Sequence, residues 1–180
     1  MKPPRTEVNL DPWNAQAELD EFDADPQALR GAMSELQMIG WLHPDLCEFG
    51  WHCPNEETCG NRCQGCPGGR RGRRIYSCPH DYYAPDFYLA KAWIRRLERS
   101  KSMRYSSYGW KHIYEFESAS RRDFYIPIGV FIAAAIAAGI RQERVPDSPN
   151  SVLGLRPPPF NFERNILAGQ PYCMDQAGGS

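Results

Sequence analysis

Residues 128–139 read Ile-Gly-Val-Phe-Ile-Ala-Ala-Ala-Ile-Ala-Ala-Gly and contain no charged side chain. A run that is apolar on every side predicts a helix buried in the centre of the molecule. The uncharged stretch that contains it, 124–140, reaches only the lower end of the roughly 17–25 residues that span a bilayer. Arginines flank this stretch on both sides, so their charges favour neither membrane orientation. We therefore expect a core helix that ends near Gly139.

Three further helices are predicted around this core helix. The first starts at Pro26 behind Asp25, which suits the N-cap, and Gly40 ends it. The other two are expected to cover about 87–101 and 107–118. Apolar residues recur on one face of the first two, as is typical of helices that pack on a common core. The predicted fold class is therefore mainly α.

The rest of the chain is rich in glycine and proline, with 15 and 16 residues respectively, and this composition favours loops. We expect a small helical domain with an irregular Cys/His metal-binding module and extended termini. An acidic flexible arm is predicted at 1–24 and a helix at 25–40. The Cys/His module with a basic loop is predicted at 41–85, a helical core at 86–144 and a Pro/Gly-rich extended tail at 145–180.

Six of the seven cysteines fall between Cys47 and Cys78. The centre of this cluster reads Cys59-Gly-Asn-Arg-Cys63-Gln-Gly-Cys66-Pro. Thiolates that are two to four residues apart on a tight turn are typical of structural zinc sites. No apolar leader is visible at the amino terminus, so we expect a cytoplasmic protein whose thiols bind metal and do not form disulfides.

The knuckle at the centre of the cluster is expected to provide three ligands of one zinc ion, namely Cys59, Cys63 and Cys66. Three residues are candidates for the fourth ligand, with the two thiols preferred: Cys53, Cys78 and His80. A second zinc ion is also conceivable, with ligands from Cys47, His52 and His80. The alternative cofactor is a four-cysteine iron–sulfur cluster, because proline follows three of the cysteines.

The same cysteine spacing occurs in radical enzymes that use S-adenosylmethionine. Those enzymes place it after the first strand of a long α/β barrel. This chain is too short for such a barrel and shows no strand–helix repeat, which excludes that class.

The charge is distributed unevenly along the chain. Residues 1–59 carry three basic and twelve acidic side chains, whereas 60–111 carry twelve basic and three acidic ones. A basic central part is typical of proteins that contact phosphates, so we expect nucleic acid or a nucleoprotein complex as the partner. The candidate contact residues follow the cysteines or lie on the second predicted helix: Arg70, Arg71, Arg73, Arg74, Lys91, Arg95, Arg96 and Arg99.

A second candidate function is enzymatic. Lys111, His112 and Glu115 recur at helical spacing with Tyr108, so they share one face of a helix. A lysine, a histidine and a glutamate together can exchange protons with a substrate. The same spacing also fits an exposed helix with local ion pairs.

Residues 106–140 contain the segments Ser106-Ser107-Tyr108-Gly109-Trp110-Lys111-His112 and Phe131-Ile132-Ala133-Ala134-Ala135, with Glu115 between them and Gly139 after them. This arrangement resembles a pattern in small uncharacterised proteins of phages and plasmids. The resemblance implies a mobile-element origin and a pair of helices. Together with the cysteines and arginines, it leads us to expect a non-enzymatic zinc protein that binds nucleic acid or a host nucleic-acid-handling complex, for example to inhibit host defence.

Overall fold

The computed structural model describes residues 13–51, 74–118, 125–146 and 148–156. The described part is mainly helical, which confirms the predicted class. Its α-helices are α1 (Ala15–Ala24), α2 (Pro26–Leu42), α3 (His80–Arg96), α4 (Ser107–Glu117) and α5 (Ile128–Ala137). A short 3-10 helix, Ile75–Ser77, precedes α3.

Two small antiparallel sheets accompany the helices. Strands β1 (Leu46–Cys47) and β2 (Gly50–Trp51) form a hairpin directly after α2. The second sheet has the order β3-β5-β4, with β3 at Tyr105–Ser106, β4 at Gln142–Arg144 and β5 at Ser151–Leu153. The central strand therefore comes from the last part of the chain that the structure describes.

The apolar helix α5 lies at the centre of the core. Every residue from Ile128 to Ala135 is buried, and α2, α3 and α4 all pack against this helix. Phe131 lies in an aromatic cluster, with its ring centroid 5.9 Å from that of Tyr114 and 6.4 Å from that of Trp93. The prediction of a buried core helix is confirmed. Within the described ranges, no helix is both long and apolar enough to cross a membrane.

The amino-terminal arm that was predicted to be flexible up to residue 24 is ordered from residue 13 onward. The Asn14 side chain caps α1 by accepting a hydrogen bond from the Ala17 N–H at 3.1 Å. Leu19 and Phe22 are buried, and the Phe22 ring lies 4.7 Å from that of Tyr88 in α3. This part of the arm prediction is wrong because the apolar side chains of α1 pack on the core. Residues 1–12 lie outside the described residues.

Helix α3 differs from the predicted helix at both ends. It begins at His80, seven residues before the predicted start, and it ends at Arg96. Pro85 lies within its second turn, where a proline lacks the backbone donor and its ring crowds the carbonyl four residues earlier. Ala84 and Phe87 are fully buried on this part of the helix, so core packing outweighs the cost of the proline.

The predicted extended tail is integrated into the core where the structure describes it. Leu153 and Leu155 are buried, and Ser151 is buried as well. The Ser151 N–H donates to the Ser107 hydroxyl at the start of α4, at 3.1 Å. The tail therefore closes the three-stranded sheet, and 157–180 lie outside the described residues.

Candidate functional site

The two ends of the cysteine-rich segment meet at the base of the predicted metal module. Cys47 in β1 forms an antiparallel bridge with Arg74, which directly precedes the 3-10 helix. Trp51, the last described residue before the segment, donates its N–H to the Pro149 carbonyl at 2.9 Å. The described residues on the two sides of 52–73 are therefore in contact through the Cys47–Arg74 bridge.

Two predicted metal ligands lie close together at the trailing end of this segment. The Cys78 thiol lies 3.0 Å from the Ile75 carbonyl oxygen, and the His80 Nε2 lies 2.8 Å from the same oxygen. A carbonyl oxygen only accepts, so the His80 Nε2 is the donor in this contact. Metal-bound histidines usually donate their second nitrogen to a carbonyl or carboxylate in this way. Cys78 and His80 thus share one carbonyl partner and lie close to each other.

The remaining predicted ligands are not described. Among the described residues, no group of three or more Cys, His, Asp or Glu side chains is arranged to hold a metal ion. Cys47 is buried beside the Arg74 bridge, in keeping with its position near the base of the module. The other candidates lie outside the described residues: His52, Cys53, Cys59, Cys63 and Cys66.

A glycine holds each end of the segment against the helical core. On the leading side, the Gly129 N–H in α5 donates to the Glu48 carbonyl at 3.1 Å, and a Cβ at Gly129 would lie 2.7 Å from the Cys47 carbonyl carbon. On the trailing side, a Cβ at Gly40 in α2 would lie 2.7 Å from the Tyr76 Cα. Only a residue without Cβ allows the two backbones to approach this closely.

Two residues of the predicted basic face make contacts within the fold. Lys91 forms an ion pair with Glu35 of α2. Arg99 lies beyond the end of α3 and donates to the Ala138 carbonyl at the C-terminus of α5, at 3.0 Å. A cation at a helix C-terminus stabilises the helix dipole. These two charges therefore contribute to packing of the helices.

The other predicted contact residues are in different environments. The Arg96 guanidinium lies 5.2 Å from the centroid of the Trp13 ring, two residues before the start of α1. Arg95 is exposed, and Arg74 pairs with Cys47 at the base of the module. Three arginines lie outside the described residues: Arg70, Arg71 and Arg73.

The candidate catalytic face of α4 forms a compact ionic cluster. Lys111 is only 2% exposed, and its Nζ lies 2.7 Å from Glu115 Oε1. The His112 Nδ1 lies 3.0 Å from Glu115 Oε2. The Ile126 N–H donates to Glu115 Oε1 at 3.1 Å, and the Lys111 ammonium lies 4.3 Å from the centroid of the Tyr125 ring.

Glu115 is held as a carboxylate by this cluster. Burial alone would raise its pKa, but hydrogen bonds from His112 and Lys111 and the Lys111 charge bring the pKa below its ordinary value. Both carboxylate oxygens have donors, and one donor belongs to the segment that leads into α5. The cluster therefore fixes α4 to the start of α5, and its carboxylate is poorly suited to take a proton at neutral pH.

We expect Glu115→Gln to lower the free energy of unfolding by about 2–3 kcal/mol at pH 7, because buried Lys111 loses its counter-charge. The pKa of Glu115 is lowered in the folded state, so this contribution is present above its ordinary pKa of 4.5 and is lost as the pH falls through the folded value. Urea unfolding at pH 7 and at pH 3 measures the difference. Glu143→Gln, at an exposed ion pair, is the control and should change little. An equal loss at both pH values would contradict the assignment.

One exposed feature near the module was not predicted from the sequence. The ring of Trp41 in α2 stacks on that of Tyr76, with centroids 5.2 Å apart and planes 21° from parallel. Trp41 is 65% exposed, unusually high for so large an apolar side chain. The sequence signal for this exposure was the pair Gly40-Trp41 at the end of the predicted helix. Trp41 lies on the side of that helix opposite its apolar face.

Comparison with known proteins adds no relative to this picture. No protein-family model, no curated protein and no solved structure matches the chain. The candidate sites therefore depend on the residues and on their geometry.

Proposed function

We propose that this chain is a non-enzymatic zinc protein of phage or plasmid origin that binds nucleic acid or a host nucleic-acid-handling complex, with inhibition of host defence as one such role. The observation that carries the proposal is the contact between the parts of the chain on the two sides of residues 52–73. This segment contains the cysteine knuckle and most of the arginine run, and its ends meet at the Cys47–Arg74 bridge. A metal held there would fix the position from which the arginines extend.

Zinc is the proposed metal because the donors beside the bridge are of two kinds. Cys78 supplies a thiol and His80 an imidazole whose Nε2 contacts the Ile75 carbonyl. Mixed sulfur and nitrogen donors are typical of zinc, whereas most iron–sulfur clusters take four cysteines. Metal analysis and a visible absorption spectrum of the purified protein decide between them, because zinc proteins are colourless and iron–sulfur proteins absorb in the visible range.

The enzymatic alternative receives less support from the same geometry. Its central carboxylate, Glu115, is engaged by Lys111, His112 and the Ile126 amide. A general base needs a carboxylate oxygen that a substrate proton can reach. The cluster is better explained as a link between α4 and α5.

The proposal places the main nucleic-acid contacts on the arginine run rather than on α3. Lys91 and Arg99 serve contacts between helices, which leaves Arg95 as an exposed charge of α3. The run Arg70–Arg74 holds four guanidinium groups within five residues. Guanidinium groups contact phosphates without reading base sequence, so the proposed binding is independent of sequence.

We expect the double variant Arg70→Glu/Arg71→Glu to bind labelled DNA and RNA more weakly at every sequence tested. Loss of two phosphate contacts should reduce the slope of log K against log salt by roughly 0.7–0.9 per contact. Fluorescence anisotropy over a salt series measures both quantities. The matched control is Arg30→Glu/Arg141→Glu, which changes the net charge equally at two exposed positions that do not belong to the run.

The control separates a local contact from a general charge effect. If both variants reduce the salt slope equally, the arginine run is not the contact surface. If the unchanged protein binds neither DNA nor RNA at low salt, the proposed nucleic-acid function is wrong and an acidic protein surface becomes the partner to test.

A further inference from the structure

Glu48 lies in the turn of the β1–β2 hairpin, and its side chain reaches the start of α3. One carboxylate oxygen, Oε2, accepts a hydrogen bond from the Tyr83 hydroxyl at 3.1 Å. Among the described residues, the other oxygen has no donor and the carboxylate has no ion-pair partner. The residue is half-buried, and a carboxylate that is partly removed from water is stabilised by a nearby cation. Glu48 therefore offers a cationic group one free oxygen.

Aromatic side chains from three parts of the chain lie around this carboxylate. Phe49 is the next residue of the hairpin turn and is exposed. The Tyr82 ring is 71% exposed and lies edge-on to that of Tyr83, with centroids 5.0 Å apart. Burial raises the pKa of Tyr125, and nearby carboxylates that include Glu48 raise it further. We call this surface the Glu48 patch, and it consists of Glu48, Phe49, Tyr82, Tyr83 and Tyr125.

The backbone that carries the patch is held by the core. The Glu48 carbonyl accepts from the Gly129 N–H of α5 at 3.1 Å. At the end of the same hairpin, the Trp51 indole N–H donates to the Ser151 hydroxyl at 2.6 Å. Helix α3, which carries both adjacent tyrosines, packs on α2 and α5. The patch therefore lies on a rigid support, which lowers the entropy that is lost when a partner binds.

One ring of the patch already has a cation next to it. The Lys111 ammonium lies 4.3 Å from the centroid of the Tyr125 ring, and its charge is paired with Glu115. No cation from the described parts of the chain lies over the rings of Phe49 and Tyr82. These two rings can therefore accept a cation from outside the described fold.

We infer that the Glu48 patch binds an arginine side chain of a protein partner. A guanidinium group donates directed hydrogen bonds to a carboxylate, and its flat face stacks on aromatic rings. Glu48 and its neighbouring rings meet both requirements. This inference does not depend on the proposed nucleic-acid contacts, because a carboxylate repels phosphates.

The charge and the exposure of the patch together select this occupant. Helix α1 carries four acidic side chains, and its one aromatic residue, Phe22, is buried. A partner that is attracted by charge alone would therefore prefer α1. Small ligands generally bind in clefts that bury most of their surface, whereas Tyr82 and Tyr125 are largely exposed. Tyrosine and arginine are enriched in protein–protein interfaces, so the expected source of the guanidinium group is a protein.

The test adds the peptide acetyl-Gly-Arg-Gly-amide to the full chain labelled with ¹⁵N and follows the amide signals by NMR. The largest shift changes are expected at Glu48, Phe49 and Tyr82. The matched ligand replaces arginine by citrulline, which has a urea group of similar shape and no charge. It should bind roughly 3- to 30-fold more weakly, because it lacks both the ion pair and the cation–π contact.

Two variants divide this effect between the carboxylate and the rings. Glu48→Gln keeps an acceptor for the Tyr83 hydroxyl and should weaken arginine binding by up to about 5-fold. Tyr82→Ala removes a largely exposed ring and should weaken it by about 2- to 5-fold. Glu143→Gln makes the same change of charge at an exposed ion pair and should leave the affinity as it is. Thermal unfolding checks that each variant is folded.

Several results would overturn the inference. Shift changes confined to α1 would show that the peptide binds by charge alone. Equal binding of the arginine and citrulline peptides would exclude recognition of the guanidinium group. Affinity that neither Glu48→Gln nor Tyr82→Ala lowers would place the contact elsewhere. Each of these results leaves the proposed nucleic-acid function standing, since that function depends on other residues.

Discussion

Gly129→Ala should prevent the hairpin β1–β2 from docking on α5 and destabilise the protein by roughly 3 kcal/mol or more. The added Cβ would lie 2.7 Å from the Cys47 carbonyl carbon and closer still to its oxygen. Both partners are backbone atoms, so no side-chain rotation relieves the overlap. The helix must shift, and the Gly129 N–H then loses its hydrogen bond to the Glu48 carbonyl.

A loss of this size is a large part of the roughly 5–15 kcal/mol that stabilises a typical domain. In a domain of this size it corresponds to a fall in melting temperature of about 6–12 °C. Urea unfolding followed by far-UV circular dichroism measures the change.

Gly31→Ala is the matched control for this variant. It makes the same change in α2, where a Cβ would meet nothing within 4 Å. Alanine favours helix over glycine, so the control should gain about 0.5–1 kcal/mol. Equal stability of the two variants would show that α5 and the hairpin are not in close contact.

Cys63→Ser should lower the amount of bound zinc and the melting temperature, because Cys63 is proposed as a central ligand of the knuckle. Structural zinc contributes about 10–16 kcal/mol of apparent binding free energy in small zinc-finger peptides. The helical signal at low temperature should persist, since α5 has its own packing with α2, α3 and α4. Metal analysis after gel filtration and thermal unfolding provide the two readouts.

Cys173→Ser is the control for the zinc prediction. Cys173 is the one cysteine outside the cluster between Cys47 and Cys78. The same chemical change there should leave both the zinc content and the melting temperature as they are. Full zinc occupancy and unchanged melting in Cys63→Ser would remove this residue from the ligand set.

The helices that the sequence predicted well are those whose boundaries depend on local signals. Helix α2 starts where Asp25 caps it, with the carboxylate accepting from the Gln27 N–H at 2.8 Å. Helix α5 was recognisable because its residues are apolar on all sides, a pattern that only a central helix tolerates in a soluble protein. Both predictions needed no knowledge of distant residues.

The errors arose where distant contacts decide the structure. Leu19 and Phe22 are spaced for a helix, but their acidic neighbours suggested a solvated arm until α3 supplied a surface for them. Helix α3 was expected to start near residue 87, but it starts at His80, and Ala84 in this added part is fully buried. Tertiary packing commonly outweighs such local preferences.

The candidate sites were predictable in the same uneven way. Helical spacing placed Lys111 and Glu115 on one face, but their burial depends on Tyr125 and Ile126, which lie beyond α4. The nearness of Cys78 and His80 follows from sequence, whereas their shared carbonyl partner does not. Trp41 is exposed because the packing of the other elements leaves it uncovered, and a single sequence does not reveal this packing.

Ser151 has a consequence for the order in which the molecule is assembled during translation. Its hydroxyl accepts from the Trp51 indole N–H across 100 residues of chain, and its amide donates to Ser107 across 44. Contacts between residues so far apart form slowly, because the intervening chain must first be brought into a closed loop. The ribosome must therefore release residue 153 before the hairpin, α4 and the three-stranded sheet can join. Until then α4 and the two strands beside β5 lack one of their packing partners, and the nascent protein depends on β5 to become resistant to proteases and aggregation.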